Sequence, residues 1–274
     1  NKIEEKNYIN GKQQGLWTIY FEETGIKKEE TFYIDGVQEG LWTEWFEDGQ
    51  KRRERNFKYG ERDSTWNTWY ENGNKRFLAT YSDGKLNGKY IRWYQGGIIK
   101  EQDGDYINNK KHKKWVFWAK NGQKSEEINY NTGIQNGPHI KWFGDSSDQH
   151  KKFHKNFKNG EKDGAWHYWY TTGVDSLKSS YLEGKKDGHW VWWRSNGLKD
   201  KEGFYKKEKK HGVWTVWNDS SGTAYHKLHE ETFVNDIIDG SVTKWYKEGD
   251  IDRQGVMRGK EREGEWTYWE KGGK

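Results

Sequence analysis

The feature that most constrains this 274-residue chain is a pair of aromatic positions, three residues apart, that returns about every 24 residues. The first member of the pair is Trp17, Trp42, Trp66, Tyr90, Trp115, His139, Trp166, Trp190, Trp214, Val242 and Trp266 in turn. The second is Tyr20, Trp45, Trp69, Trp93, Trp118, Trp142, Trp169, Trp193, Trp217, Trp245 and Trp269, aromatic in all eleven copies. Eighteen of the nineteen tryptophans fall on these two phases, and Trp192 is the exception. Ten copies also carry Tyr or Phe nine residues before the first position, from Tyr8 to Phe233. A self-similar period of this length defines a repeat architecture, in which each unit packs on its neighbours.

Each copy divides into two strands and two reversals. Residues 29–34 end a first strand, the glycines at 36 and 40 bracket an expected turn, and residues 41–46 form a second strand with both tryptophans. Glycine suits a tight reversal because it reaches positive φ without a Cβ penalty. Asn109 and Asp236 replace the first turn glycine as the next most tolerant residues, whereas Glu208 does not fit that rule. The residue after the first aromatic is Thr, Val or Ile in nine copies, which favours strand. A helix fails because turn residues interrupt every dozen positions.

Side chains alternate along a strand, so aromatics three apart project from opposite faces. With both faces aromatic, the predicted fold is all-β: an elongated, single-layer, twisted antiparallel meander of about eleven tandem hairpins of ~24 residues. We expect one continuous array over residues 1–274. About 22 strands at ~4.8 Å spacing would extend on the order of 100 Å. Loops expand at 144–148 and 218–222, and the copies holding Pro138–His139 and Asp236–Val242 are expected to be locally irregular.

Composition fits this picture. Only 31% of residues are hydrophobic and 33% are charged, so the 17% of aromatic residues must supply most of the buried area. Charge is uneven: residues 1–50 hold 5 basic and 11 acidic side chains, and residues 51–100 hold 12 and 5. No basic face is sustained along the chain, which argues against nucleic acid as a partner. Cysteine is absent, which excludes disulfides and thiolate metal sites and permits an oxidising compartment, so an extracellular or envelope location is favoured. No apolar run reaches transmembrane length. The chain starts at Asn1 without an initiator Met, as a processed product or a fragment would.

The unit, nearly whole at residues 160–173 and 184–199, has the pattern Gly-Lys-x-x-Gly-x-Trp-x-x-Trp-Tyr-x-x-Asn-Gly-x-Lys. It resembles the MORN-repeat variant family, which includes many bacterial chains labelled putative antitoxins. The resemblance implies tandem hairpins in an elongated, curved sheet with binding or scaffolding roles, and it carries no catalytic residue.

Nothing in the chain marks catalysis: there is no nucleophile elbow, no phosphate loop and no distinctive carboxylate pair, so no enzyme and no cofactor are expected. His226 and His229 would point to opposite faces of a strand, and His150 and His154 flank an expanded loop, so no metal site is expected. The leading expectation is a non-enzymatic scaffold that binds a protein partner along the second aromatic row. Its candidate residues are Trp45, Trp69, Trp93, Trp118, Trp142, Trp169, Trp193, Trp217 and Trp245, together with off-phase Trp192, which shares a face with Trp190. Alternatives are head-to-tail self-assembly through edge strands and binding of envelope glycans.

Overall fold

The computed structural model describes residues 2–144, 149–219 and 224–272. The expanded loops expected at 144–148 and 218–222 therefore fall largely outside the described residues. Every described regular element is a β-strand, and no helix occurs among the described residues. The chain divides into two compact units, residues 1–135 and 136–274. In the first, each strand from Gly15–Tyr20 to Lys124–Asn131 pairs antiparallel with the next in sequence. The second repeats this order from the pairing of 137–142 on 151–157 to the hairpin of Ile251–Arg258 with Glu261–Tyr268. Each unit is a meander of hairpin repeats.

The hairpin of Lys27–Ile34 with Val37–Trp45 illustrates the unit. Ile34 pairs with Val37, so Asp35 and Gly36 alone make the reversal, at φ of 50° and 86°. Two positive φ values define a type I′ turn, whose twist matches that of the strands. Gly36 and Gly40 are expected from the sequence to share one turn, and the structure separates them. Gly40 sits inside the second strand at φ 72°, where it opens a bulge that sets Gly40, Leu41 and Trp42 against Thr31 alone.

The bulge places the first tryptophan. Its indole N–H needs an acceptor once buried, and it donates to the carbonyl ten residues earlier: Trp66 to Asn56 at 3.0 Å, Trp115 to Asp105 at 3.0 Å, Trp190 to Ser180 at 3.1 Å. Trp42 departs, donating instead to Glu29 Oε1 at 2.7 Å. The ring then packs between the Tyr or Phe of its own repeat and that of the next. In the second unit Phe157, Trp166, Tyr181, Trp190, Tyr205 and Trp214 succeed one another at centroid distances of 5.2, 4.9, 5.2, 5.3 and 5.0 Å. Such pairs contribute roughly 0.5–1.5 kcal/mol each beyond area burial. This row is the core: six of the eight first-phase tryptophans are buried, and Trp115 is 0% exposed.

The copies expected to be irregular are regular. Val242 is buried in the uninterrupted strand Ile237–Trp245, and His139 meets Phe153 edge-on at 4.9 Å in Ile134–Trp142. His139 keeps a flat ring at the first position, packed against Phe153 and Phe157. The turn exceptions also have a reason. Asn109, Glu208 and Asp236 sit at φ of 63°, 73° and 73°, where each side chain accepts a hydrogen bond from the preceding repeat, from Leu86 N, Lys186 N and Lys210 N. The bond to the neighbouring tip offsets the strain of a non-glycine residue there.

A second clamp joins repeats at the opposite end of each strand. Tyr70 OH donates to Trp93 O, Tyr94 OH to Trp118 O and Tyr170 OH to Trp193 O, at 3.0, 2.7 and 2.8 Å. Tyr94→Phe is therefore expected to cost about 0.5–1.5 kcal/mol, measured by urea unfolding. The same change at Tyr59, an exposed tyrosine with no such bond, should cost less.

Candidate functional site

The second aromatic row lies on the face opposite the first and is covered by a repeated ion-pair lattice. Lys27, Lys100, Lys199 and Lys227 each bind the carboxylate three residues on and lie 6.0, 5.8, 5.4 and 5.9 Å from the rings of Trp45, Trp118, Trp217 and Trp245. Lys151 sits 6.0 Å from Trp169 and Lys178 sits 5.1 Å from Trp193. Trp69, Trp93 and Trp142 are half-buried like the others. Cation–π contacts of this kind contribute roughly 0.5–1 kcal/mol at exposed sites.

The most enclosed member of this lattice is Glu127, between Lys114 at 2.8 Å and Lys124 at 2.7 Å. Burial alone would raise its carboxyl, but the two ammonium hydrogen bonds outweigh burial and hold it below the ordinary 4.5. Asp103 is lowered in the same way, its burial outweighed by Lys100 and Lys89. A carboxyl whose folded pKa is depressed stabilises the fold above its unfolded pKa, and that stability is lost as pH falls through the folded value. His154, His167 and His229 are pushed below 6.5, chiefly by burial. Their folded state therefore binds fewer protons, and acid weakens it from about pH 6.5 downward. Melting temperature should fall in two stages on acidification, first below about pH 6.5 and again below about 4.5. A flat profile from pH 7 to 3.5 would contradict this.

A different row breaks the repeat rule. Two residues after each first-phase position the side chain returns to the first-Trp face, where strand registers align it into one line. In the first unit the line reads Glu44, Arg53, Thr68, Phe77, Arg92, Gln102, Phe117 and Glu126, each directly opposite the next. In the second it runs Phe153, Tyr168, Leu177, Trp192, Lys201, Val216, His229 and Lys244. Acid, base, aromatic and aliphatic residues alternate without pattern, so no packing rule fixes them. Most are half-buried, between full burial and free exposure.

The two units differ along this line. Trp192 sits on it, 5.5 Å from Trp190 and 5.9 Å from Trp214, with Lys201 5.0 Å from its ring. Tyr168, Leu177 and Trp192 make that stretch apolar. In the first unit the line floors an open concavity lined by Arg52, Arg53, Arg55, Arg76 and Arg92, with Phe77, Tyr90, Tyr70 and Tyr94 between them. Six of the ten arginines in the chain fall within residues 51–100, and five line this one surface. Trp69 and Trp93 also border it.

The concavity contains arginine in three states. Arg52 and Arg53 both bind Glu44 at 3.0 Å, and Arg92 binds Glu101 at 2.7 Å. Arg76 leans on the Tyr70 ring at 5.6 Å. Arg55 lies between the rings of Trp42 and Trp66 at 4.7 and 4.9 Å, with its buried Nε lacking a hydrogen-bond partner. Burial, then the neighbouring Arg53, pushes its guanidinium below the usual arginine value.

The histidines singled out in the sequence are held individually. His226 lies 2.6 Å from Ala224 O, His150 lies 3.0 Å from Thr171 O, and His229 Nδ1 lies 3.7 Å from Glu231. Among the described residues no group of three or more His, Cys, Asp or Glu is arranged to hold a metal ion, and no helix is long and apolar enough to cross a membrane. A scan against protein-family models finds no match, and a search of curated proteins finds none.

Proposed function

We propose that the chain is a non-enzymatic repeat scaffold that binds another protein through the irregular line on the first-Trp face of each unit. The observation that carries this reading is the division of labour among positions. The two aromatic rows, the lysine–carboxylate lattice and the turn residues recur because packing and hydrogen bonding require them, whereas the line from Glu44 to Glu126 in the first unit and the line from Phe153 to Lys244 in the second do not recur. Repeat sheets present extended surfaces, and a half-buried line of mixed chemistry on a regular frame suits specific recognition. The resemblance to MORN-repeat variants points the same way, and we include membership of that family in the proposal. Trp192 is the strongest anchor in the second unit, since a large ring outside the aromatic rows is the residue type that dominates interfaces.

Affinity capture with wild type, Leu177→Ser and Trp192→Ser tests this, with folding of each checked by circular dichroism. A protein held by wild type and lost with folded row variants is the expected outcome. Identical captures by wild type and both variants would contradict the reading.

A further inference from the structure

We propose that the arginine-lined concavity of the first unit binds an extended acidic segment of a protein partner, gripped through carboxylates about 14 Å apart with an apolar side chain between them. The inference rests on the scaffold reading above and assigns one stretch of the line a partner chemistry.

Three features carry it. First, charge: the surface is lined by five arginines and Lys120 against only Glu71 and Glu101. Second, spacing: the register Arg53, Thr68, Phe77, Arg92 puts the outer two arginines three strand steps apart, or ~14 Å. An extended peptide crossing the strands advances ~3.4 Å per residue, so residues i and i+4 reach Arg53 and Arg92 from the same side. Residue i+2 then lies over Thr68 and Phe77. Third, the site already handles carboxylates: Glu44 is held by Arg52 and Arg53, and Arg92 holds Glu101, so the guanidinium forks are oriented for carboxylate oxygens. Arg55 adds a cation whose buried Nε lacks a hydrogen-bond partner, and Tyr90 lines the same surface.

A nucleic acid is disfavoured because its repeated phosphates need a basic track. Here the basic stretch is bounded by residues 1–50 with 5 basic against 11 acidic side chains, and by residues 101–150 with no net charge.

The test uses the full chain and a fluorescein-labelled peptide of repeated Glu-Ser-Tyr-Ser, which sets Glu at i and i+4 and Tyr at i+2 on one side, read by anisotropy at low and moderate salt. Controls are the same peptide with Lys in place of Glu and a single-stranded oligonucleotide of equal charge magnitude. Arg92 and Arg76 are the residues to change, because both are exposed and neither supports a core ring. Wild type should bind the acidic peptide and not the basic one. Arg92→Glu should weaken binding by roughly tenfold or more, and Arg92→Lys, which keeps the charge without the fork, should weaken it less. Absence of acidic-peptide binding, equal binding by Arg92→Glu, or preference for the oligonucleotide would each overturn the proposal. So would charge-dependent self-association that Arg92→Glu abolishes, which would assign the surface to a second copy. Loss of capture on changing Leu177 and Trp192, with no acidic-peptide binding, would leave the scaffold reading intact and this inference overturned.

Discussion

Trp115→Ala is expected to lower the unfolding free energy by about 3–5 kcal/mol, the largest effect of any single truncation in the first unit. Trp115 is 0% exposed, packs against Tyr106 at 5.0 Å and Tyr90 at 5.6 Å, and donates to Asp105 O at 3.0 Å. Removing it opens a cavity and leaves that carbonyl without the indole. It also removes the surface on which Lys111 Nζ rests, 4.3 Å from the ring. Trp118→Ala, on the opposite face, removes a half-buried ring under Lys100 and should cost distinctly less. Urea unfolding of both variants measures the difference. Equal losses would mean that the two rows share the core.

Gly104→Ala should destabilise by about 1–3 kcal/mol although it adds one methyl group. Gly104 does not adopt positive φ, so alanine suits its backbone. The obstacle is space: an added Cβ would lie 2.3 Å from Trp115 Cδ2 and Cε2, and Trp115 has nowhere to move. The same collision awaits at Gly203 with Trp214, and at Gly255 with Trp266. Trp266 is half-exposed and can swing aside, so Gly255→Ala should be the mildest of the three. Pairing Gly104→Ala with Trp115→Phe should cost less than the sum of the single changes, because the smaller ring makes room for the methyl.

These glycines show where sequence reasoning stopped short. Their signal was present: glycine stands eleven residues before a first-phase tryptophan in three copies. Other copies place Thr31, Arg55, Ser179 or Lys155 there, which hides the rule unless the bulge that tilts the indole is known. Gly40 was legible as a glycine position but not as a bulge, since turns and bulges both select positive φ. The opposite-face placement of Trp42 and Trp45 followed directly from strand alternation, and the all-β meander followed from that. Glu208 looked anomalous because its compensation, a bond to Lys186 N, comes from the neighbouring repeat. The arginine concavity was visible only as a charge imbalance. Strand registers were needed to bring Arg53 and Arg92 onto one line with Phe77, and pairing register depends on bulges that the sequence does not announce.

The central claim is that regular positions hold the fold while the irregular line is available for recognition. Thermal melting by circular dichroism tests it without a known partner. Thr68→Ser, Arg92→Ser and Lys244→Ser, on the line, should each shift the melting temperature by no more than about 1–2 °C. Trp66→Ser and Trp190→Ser, in the first aromatic row, should each lower it by roughly 6–12 °C. Line variants that melt as early as the tryptophan variants would contradict the claim.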